Sequence, residues 1–283
     1  MSEFAKSRTE FHDNLKSDIF KVTSTGVPTN SDKDSPASRR IGQALAVTLG
    51  VQEGPRLAAQ TLGSRFETHV RAFLADTFPK LEHLRPGKWD VKCITNRSGL
   101  DIGDYEQYAH LRAIQLAAQA EPSLRILLGS DYNIASDVVV TRSPEDDGQI
   151  NLHRNLVDIE TATRSSLRAS AGSVASLHAC ISCKWTMRSD RAQNSRSEAL
   201  RLIRNRKGRV PHIAVITAEP LPSRLASIAL GTGDIDCVYH IALEELRAAV
   251  ATIGESEANS LLGLMIDGRR LKDVSDLPLD LAI

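Results

Sequence analysis

The chain has 283 residues, 41% of them apolar and 25% charged, and its charges cancel to a formal net of zero. That length and apolar fraction suffice for a sizeable buried core, whereas 4% aromatics argue against binding single strands mainly by base stacking. No apolar run approaches a membrane span, the charged N-terminus lacks the apolar segment of a secretory signal, and four cysteines make no disulfide framework, so the cytosol is expected.

Residues 3–17 read as a short polar helix, and the Ser-, Thr-, Asp- and Pro-rich stretch 23–38 as a loop. Helical periodicity runs through 39–49 and 57–79, where Phe66, Val70, Phe73 and Leu74 share one face. WDVKCIT (89–95) reads as a strand, 105–120 as an Ala-rich helix, and SDVVVTR (136–142) as a β-branched strand opening at an acid. The polar stretch 143–175 is a long insertion between strands, the kind that is usually functional or disordered. LHACISCKW (177–185) is a strand, followed by a basic helical segment to about Asn205. VPHIAVITA (210–218) and DCVYHIA (236–242) are buried-type strands with a short helix at 221–229 between them. Amphipathic helices near 242–253 and 256–265 precede an acidic, aliphatic tail. Strands interleaved with helices predict one α/β (α+β) domain over 1–283, built on a mixed sheet of about five strands flanked by helices.

Alternation along LHACISCKW puts His178, Cys180, Ser182 and Lys184 on one face and Leu177, Ala179, Ile181 and Cys183 on the other. The second set is the more apolar and suits the core, which turns Ser182 and Lys184 toward a cleft. An acid opening one strand (Asp137) and a lysine closing another suit metal-assisted phosphodiester cleavage: the carboxylate holds Mg²⁺, and the ammonium orients water or offsets developing charge. By spacing alone, Asp137 as a strand-end cap and Lys184 as a surface residue fit better. Cys180 and Cys183 form a C-x-x-C, but on a strand the two thiols point to opposite faces, so two core cysteines fit better than zinc or a redox pair.

From Lys184 to Arg209 inclusive there are nine basic residues against only Asp190 and Glu198, a strong local excess in a neutral chain. Such a run is either a solvated helix face or a polyanion site. Arg188, Asp190 and Arg191 fall in one turn, and arginine forks match guanine while aspartate accepts from cytosine, so this turn suits adjacent G·C pairs in a major groove.

The segments ISCKWTMRSDRAQNSRSE (181–198), RNRKGRVPHIAVITAEPLPSR (204–224) and RLKDVSDLPLDLAI (270–283) closely resemble NgoMIV-type restriction endonucleases. The likeness takes in QTLGSRFE (60–67), RPGKWDVK (85–92), YAHLRA (108–113) and LGSDYNIASDVVVTR (128–142), and runs from about Gly26 to the C-terminus. It implies a restriction-endonuclease-like fold of the PD-(D/E)-x-K superfamily, with two Mg²⁺ ions per active site and cleavage of both strands of a palindrome. In that likeness Asp137 is the metal-bridging aspartate and Lys184 the catalytic lysine. Ser182 stands where most of the superfamily has a second acid, and Glu198 supplies the missing carboxylate. Glu67 is a further active-site acid, and the Cys183 carbonyl completes the metal shell. Ser136 replaces the usual proline before the aspartate.

The same resemblance makes Arg188, Asp190 and Arg191 readers of an inner CCGG, Arg224 and Asp32 readers of the outer G·C pair, and Gln60 a minor-groove contact. Around 32–36 the match is loose, so Asp32 and Asp34 compete for one role. The implied site is GCCGGC, cut after the first G to leave 5′ CCGG overhangs with 5′-phosphates. A palindrome read by one domain calls for a two-fold dimer. The resemblance implies a tetramer of two dimers with the insertion 144–173 at its interface, and a cognate methyltransferase as functional partner. A DNA-binding protein that does not cut, or a nicking, repair or methyl-directed nuclease on the same core, are the alternatives.

Overall fold

The computed structural model describes residues 1–94, 101–121, 123, 126, 134, 136–231 and 233–283. Residue 95, at the end of the expected strand 89–95, and most of 128–135 lie outside the described residues. Among the described residues the β-rich segments form one six-stranded sheet whose spatial order follows the chain: β1 (Lys88–Cys93), β2 (Val138–Ser143), β3 (Ser176–Lys184), β4 (His212–Thr217), β5 (Cys237–His240) and β6 (Leu271–Asp273). β1 and β2 pair antiparallel, as do β2 and β3, whereas β3 to β6 run parallel. Parallel neighbours need crossover connections. They are supplied by α6 (Ser189–Asn205), α7 (Pro222–Ala229), and the pair α8 (Leu243–Ile253) and α9 (Ser256–Asp267).

The helices before the crossovers are α1 (Glu3–Asp18), α2 (Pro36–Leu49), α3 (Ala59–Thr77), α4 (Ala109–Ala120) and the one-turn α5 (Asp147–Ile150), and the short α10 (Leu277–Asp280) closes the chain. Local chemistry sets several boundaries. The Ser2 and Ser35 hydroxyls accept from the N–H groups of Ala5 and Ser38, satisfying orphan donors at the starts of α1 and α2. The last turn of α2 closes on Gly50, whose φ of 68° suits a residue without a Cβ. The face of α3 read from periodicity is the buried one: Phe66, Val70, Phe73 and Leu74 all join the core. Each such side chain contributes about 1.5–3 kcal/mol when fully buried.

Three features sharpen or depart from the sequence reading. The sheet has a sixth strand, β6, in what reads as tail; three residues, Leu271–Asp273, are too short for a periodic signal, and only pairing with β5 defines them. Central β3 is buried on both faces for most of its length, so His178, on the face read as the more polar one, lies in the core, and Cys180 is buried as a core cysteine. The His178 ring packs against Phe78, Trp89 and His212, and its Nε2 lies 2.7 Å from the Leu281 carbonyl. Alternation returns only at the strand's end, where Ser182 and Lys184 are half-buried and Cys183 is buried. Cys180 and Cys183 are both free thiols.

The insertion, read from the sequence as polar, is the third feature of note and is organised by a charge rather than an apolar core. Arg168, 3% exposed, donates Nε and Nη2 to the Asp147 carboxylate at 2.8 and 2.6 Å. It also donates to the carbonyls of Thr161 and Asp158. Leu156 and Ile159 stay outside this knot, at 64% and 91% exposure. Among the described residues no helix is long and apolar enough to cross a membrane.

Candidate active site

Antiparallel pairing of Val138 with Ile181 lays the start of β2 against the end of β3. Asp137, one residue before β2, thereby reaches a strand end 46 residues away in sequence: its Oδ2 accepts the Cys183 N–H at 2.7 Å and the Lys184 ammonium at 2.8 Å. The Lys184 and Asp137 side chains keep 17% and 20% exposure, so the pair opens on solvent without being screened as a surface pair would be. Behind it, the Ser182 hydroxyl hydrogen-bonds Ser195 on α6 at 3.1 Å, and Ser182, Ser195 and Glu198 line one small cleft. Glu67 approaches from α3.

These groups feel one another's charge. Burial, reinforced by the negative Asp137 and only partly countered by Lys184, pushes the Glu67 carboxyl up to about 7. Glu198 is raised for the same reasons, burial first, with Lys184 opposing and Asp137 adding. Burial works against the Lys184 ammonium, but the charge and hydrogen bond of Asp137 outweigh it and hold the lysine above its ordinary value. Burial also raises the Cys183 thiol well above the usual range, so its sulfur is inert in the core while its backbone stands at the site.

Glu67, Asp137, Ser182, Cys183, Lys184 and Glu198 are thus drawn from two helices and two strands, α3, α6, β3 and the start of β2, into one acidic centre balanced by one lysine. Among the described residues no three His, Cys, Asp or Glu side chains converge tightly enough to cage an ion unaided. An open set of hard oxygen donors is what Mg²⁺ takes, since it keeps several waters and uses only one or two carboxylates. Burial is the main cause of both raised carboxyls, and Asp137 adds a smaller repulsion that a cation would relieve.

The family description NgoMIV restriction enzyme matches residues 11–283. The chain belongs to the NgoMIV restriction enzyme family. It is 50% identical over 282 residues to the type II restriction enzyme NgoMIV of Neisseria gonorrhoeae, with 99% of each chain covered.

For an enzyme of the NgoMIV family, the surface next to this centre matters as much as the centre. Arg188 is the exposed N-cap of α6, Asp190 is exposed in its first turn, and Arg191 is half-buried. The Arg191 Nη1 donates to the Thr186 carbonyl and hydroxyl at 3.1 and 2.5 Å, which fixes the guanidinium over the turn leading out of β3. Asp32 pairs with Arg224 on α7 and lies 3.8 Å from the Arg188 guanidinium. Arg224 holds the Asp32 carboxyl below the usual range. Asp34 lines the same open cleft of about 430 Å³ as Asp32, Arg188 and Arg224, but its N–H donates to Asp32 at 3.1 Å, so of the two acids Asp32 takes the arginines. Gln60 stands exposed in the first turn of α3, the helix that carries Glu67.

The basic run is only partly available to a polyanion. Arg196 turns inward to Asp234 at 2.6 Å and to the carbonyls of Ser227 and Ile228, and Arg206 donates to the Ile203 carbonyl. Sequence reading missed Ser195, Asn30 and above all Glu219, a carboxyl with 0% exposure that burial pushes up to about 7. The one available signal was an acid closing the apolar run HIAVITA.

Proposed function

We propose that this chain, a type II restriction endonuclease, uses Mg²⁺ to cut both strands of GCCGGC after the first G, leaving 5′ CCGG overhangs. The observation that carries the reading is the contact of Asp137 with Cys183 N–H and Lys184, coupled to Glu67 and Glu198 and joined to Arg188 by three residues of chain. Cutting and reading therefore share one short rigid connection.

The residues present suit Mg²⁺: Asp137 with the Cys183 carbonyl would hold it, and Glu67 and Glu198 would complete the shell directly or through water, with two ions per site. When bound, the ion lowers the pKa of attacking water and neutralises charge on the phosphate. Lys184 orients that water and balances negative charge, a role its retained proton suits. Ser195 keeps the Ser182 hydroxyl directed at α6, leaving the position open to the Glu198 carboxylate. Water attacks the scissile phosphorus in line, the bond to O3′ breaks and its oxygen takes a proton, giving a 5′-phosphate and a 3′-hydroxyl.

Arg188, Asp190 and Arg191 would read the inner CCGG from the major groove, Arg224 with Asp32 the outer pair, and Gln60 the minor groove. A palindromic duplex is served by a two-fold dimer. The exposed Leu156 and Ile159 on the Arg168-tied insertion support pairing of dimers into a tetramer through 144–173. A methyltransferase protecting the same sequence is the expected functional partner in a cytoplasmic restriction–modification pair.

Incubation of the purified protein with plasmid DNA and Mg²⁺, followed by mapping of fragment ends, tests this directly. Double-strand ends carrying 5′ CCGG at GCCGGC are expected. Bound but intact DNA would mean a protein that only binds, and nicks or a requirement for methylation a different nuclease on this core.

A further inference from the structure

Resting on the reading of Arg188, Asp190, Arg191 and Arg224 as DNA contacts, we propose that Glu219 is the positioning residue that locks the inner and outer reading elements into one register, setting specificity without touching DNA.

Glu219 follows β4 by two residues. The parallel pairing of Lys184 with Thr217 brings it beside the segment leaving β3. Its Oε2 accepts the Met187 N–H at 2.7 Å and its Oε1 the Leu221 N–H at 3.2 Å. Each of those amides begins a reading element. Met187 directly precedes Arg188, the N-cap of α6, and Leu221 is the N-cap of α7, which carries Arg224 in its first turn. The Arg224 Nη1 lies 3.8 Å from the Glu219 carboxylate and is a buried nitrogen without a hydrogen bond among the described residues. Its Nη2 goes to Asp32.

The neighbouring backbone completes the arrangement. The carbonyl of Ala218 accepts from the fully buried Asn30 side chain at 2.9 Å, two residues before Asp32. Residues 218 and 219 therefore hold α6, α7 and the Asp32 loop at once, from a site behind the cleft rather than in it. A buried carboxylate is costly unless its oxygens are matched by donors. Here one two-oxygen group meets two amides and faces a guanidinium, which an apolar residue cannot do. Successive bases on a strand are about 3.4 Å apart and useful sites need positioning within about 0.5 Å, so slack between α6 and α7 would blur neighbouring base pairs.

The test measures discrimination. The parent, Glu219→Gln and Arg191→Ala are titrated with three duplexes: one carrying the mapped cleavage site, one altered at its outer base pair and one without a site. Ca²⁺ replaces Mg²⁺, and thermal unfolding is followed in parallel. Glu219→Gln is expected to stay folded, to bind site-free DNA as the parent does, and to lose about tenfold or more in discrimination for the site. A folded Glu219→Gln with parental discrimination overturns the proposal, as does an equal loss on all three duplexes. If Arg191→Ala itself discriminates like the parent, the base-reading assignment fails instead. Should the Gln variant not fold, Glu219→Asp, which keeps the charge but is one methylene shorter, is read by the same outcomes. Failure of both to fold would place Glu219 in the fold alone and also overturn the proposal.

Discussion

The Lys184 ammonium donates to the Asp137 carboxylate at 2.8 Å, and the same Oδ2 takes the N–H of Cys183, so one oxygen joins the start of β2 to the end of β3. The pair is held by backbone pairing, not by side-chain search. The chemistry expected of the centre follows from who depends on Asp137.

Removing Asp137 takes away the carboxylate proposed to hold the metal and leaves Lys184 and the Cys183 amide without their acceptor. Asp137→Ala is expected to reduce plasmid cleavage by roughly 10³-fold while gel-shift affinity for the site stays near parental. Cleavage that survived the substitution would move the active site elsewhere.

Glu67 gives a pH signature. Its carboxyl ionises near its ordinary 4.5 in the unfolded chain but near 7 in the fold, so between those values the fold binds the extra proton and loses stability as pH rises. Without metal, Glu67→Gln should melt with the parent near pH 4 and above it near pH 8. Added Mg²⁺ should stabilise the parent more at the alkaline end, because a ligating carboxylate must first lose its proton. Melting curves for the two proteins that stayed superimposable at about pH 8 would contradict the burial of this acid.

Asp32 and Asp34 are separated by their partners. Asp32→Ala frees Arg224 and the nearby Arg188 guanidinium, and should cost about 1–3 kcal/mol of selectivity at the outer base pair. Asp34→Ala removes a carboxylate whose residue only lends its N–H to Asp32, and should leave selectivity unchanged. Competition binding with outer-pair variants of the site distinguishes the two, and the opposite ranking would reassign the role.

The insertion can be loosened at one point. Arg168→Ala unties Asp147, Asp158 and Thr161 from one another. On the proposed assembly, sedimentation is expected to show tetramers for the parent and dimers for the variant, and any preference of the parent for two-site plasmids is expected to be lost. An unchanged tetramer would remove the insertion from the interface.

Much of this was legible in the amino-acid order. Local rules located the helical face of Phe66, Val70, Phe73 and Leu74, the β-branched run after Asp137, and the basic segment after Lys184, because propensity and period act over a few residues. The likeness of whole segments named the family. Periodicity failed on His178, since a strand buried on both faces has no polar side for alternation to mark. It also failed on Leu271–Asp273, where a partner strand defines the element.

What the chain determined alone was which chemistry it carries: the acids, the lysine and the turn Arg188–Arg191. Their meeting was decided by the sheet. Antiparallel pairing brought Asp137 to Lys184, and parallel pairing of β3 with β4 brought Glu219 to Met187 and so α7 to α6. Contacts across 46 and 32 residues leave no local pattern, because hydrogen-bond registry between distant strands is a property of the assembled sheet.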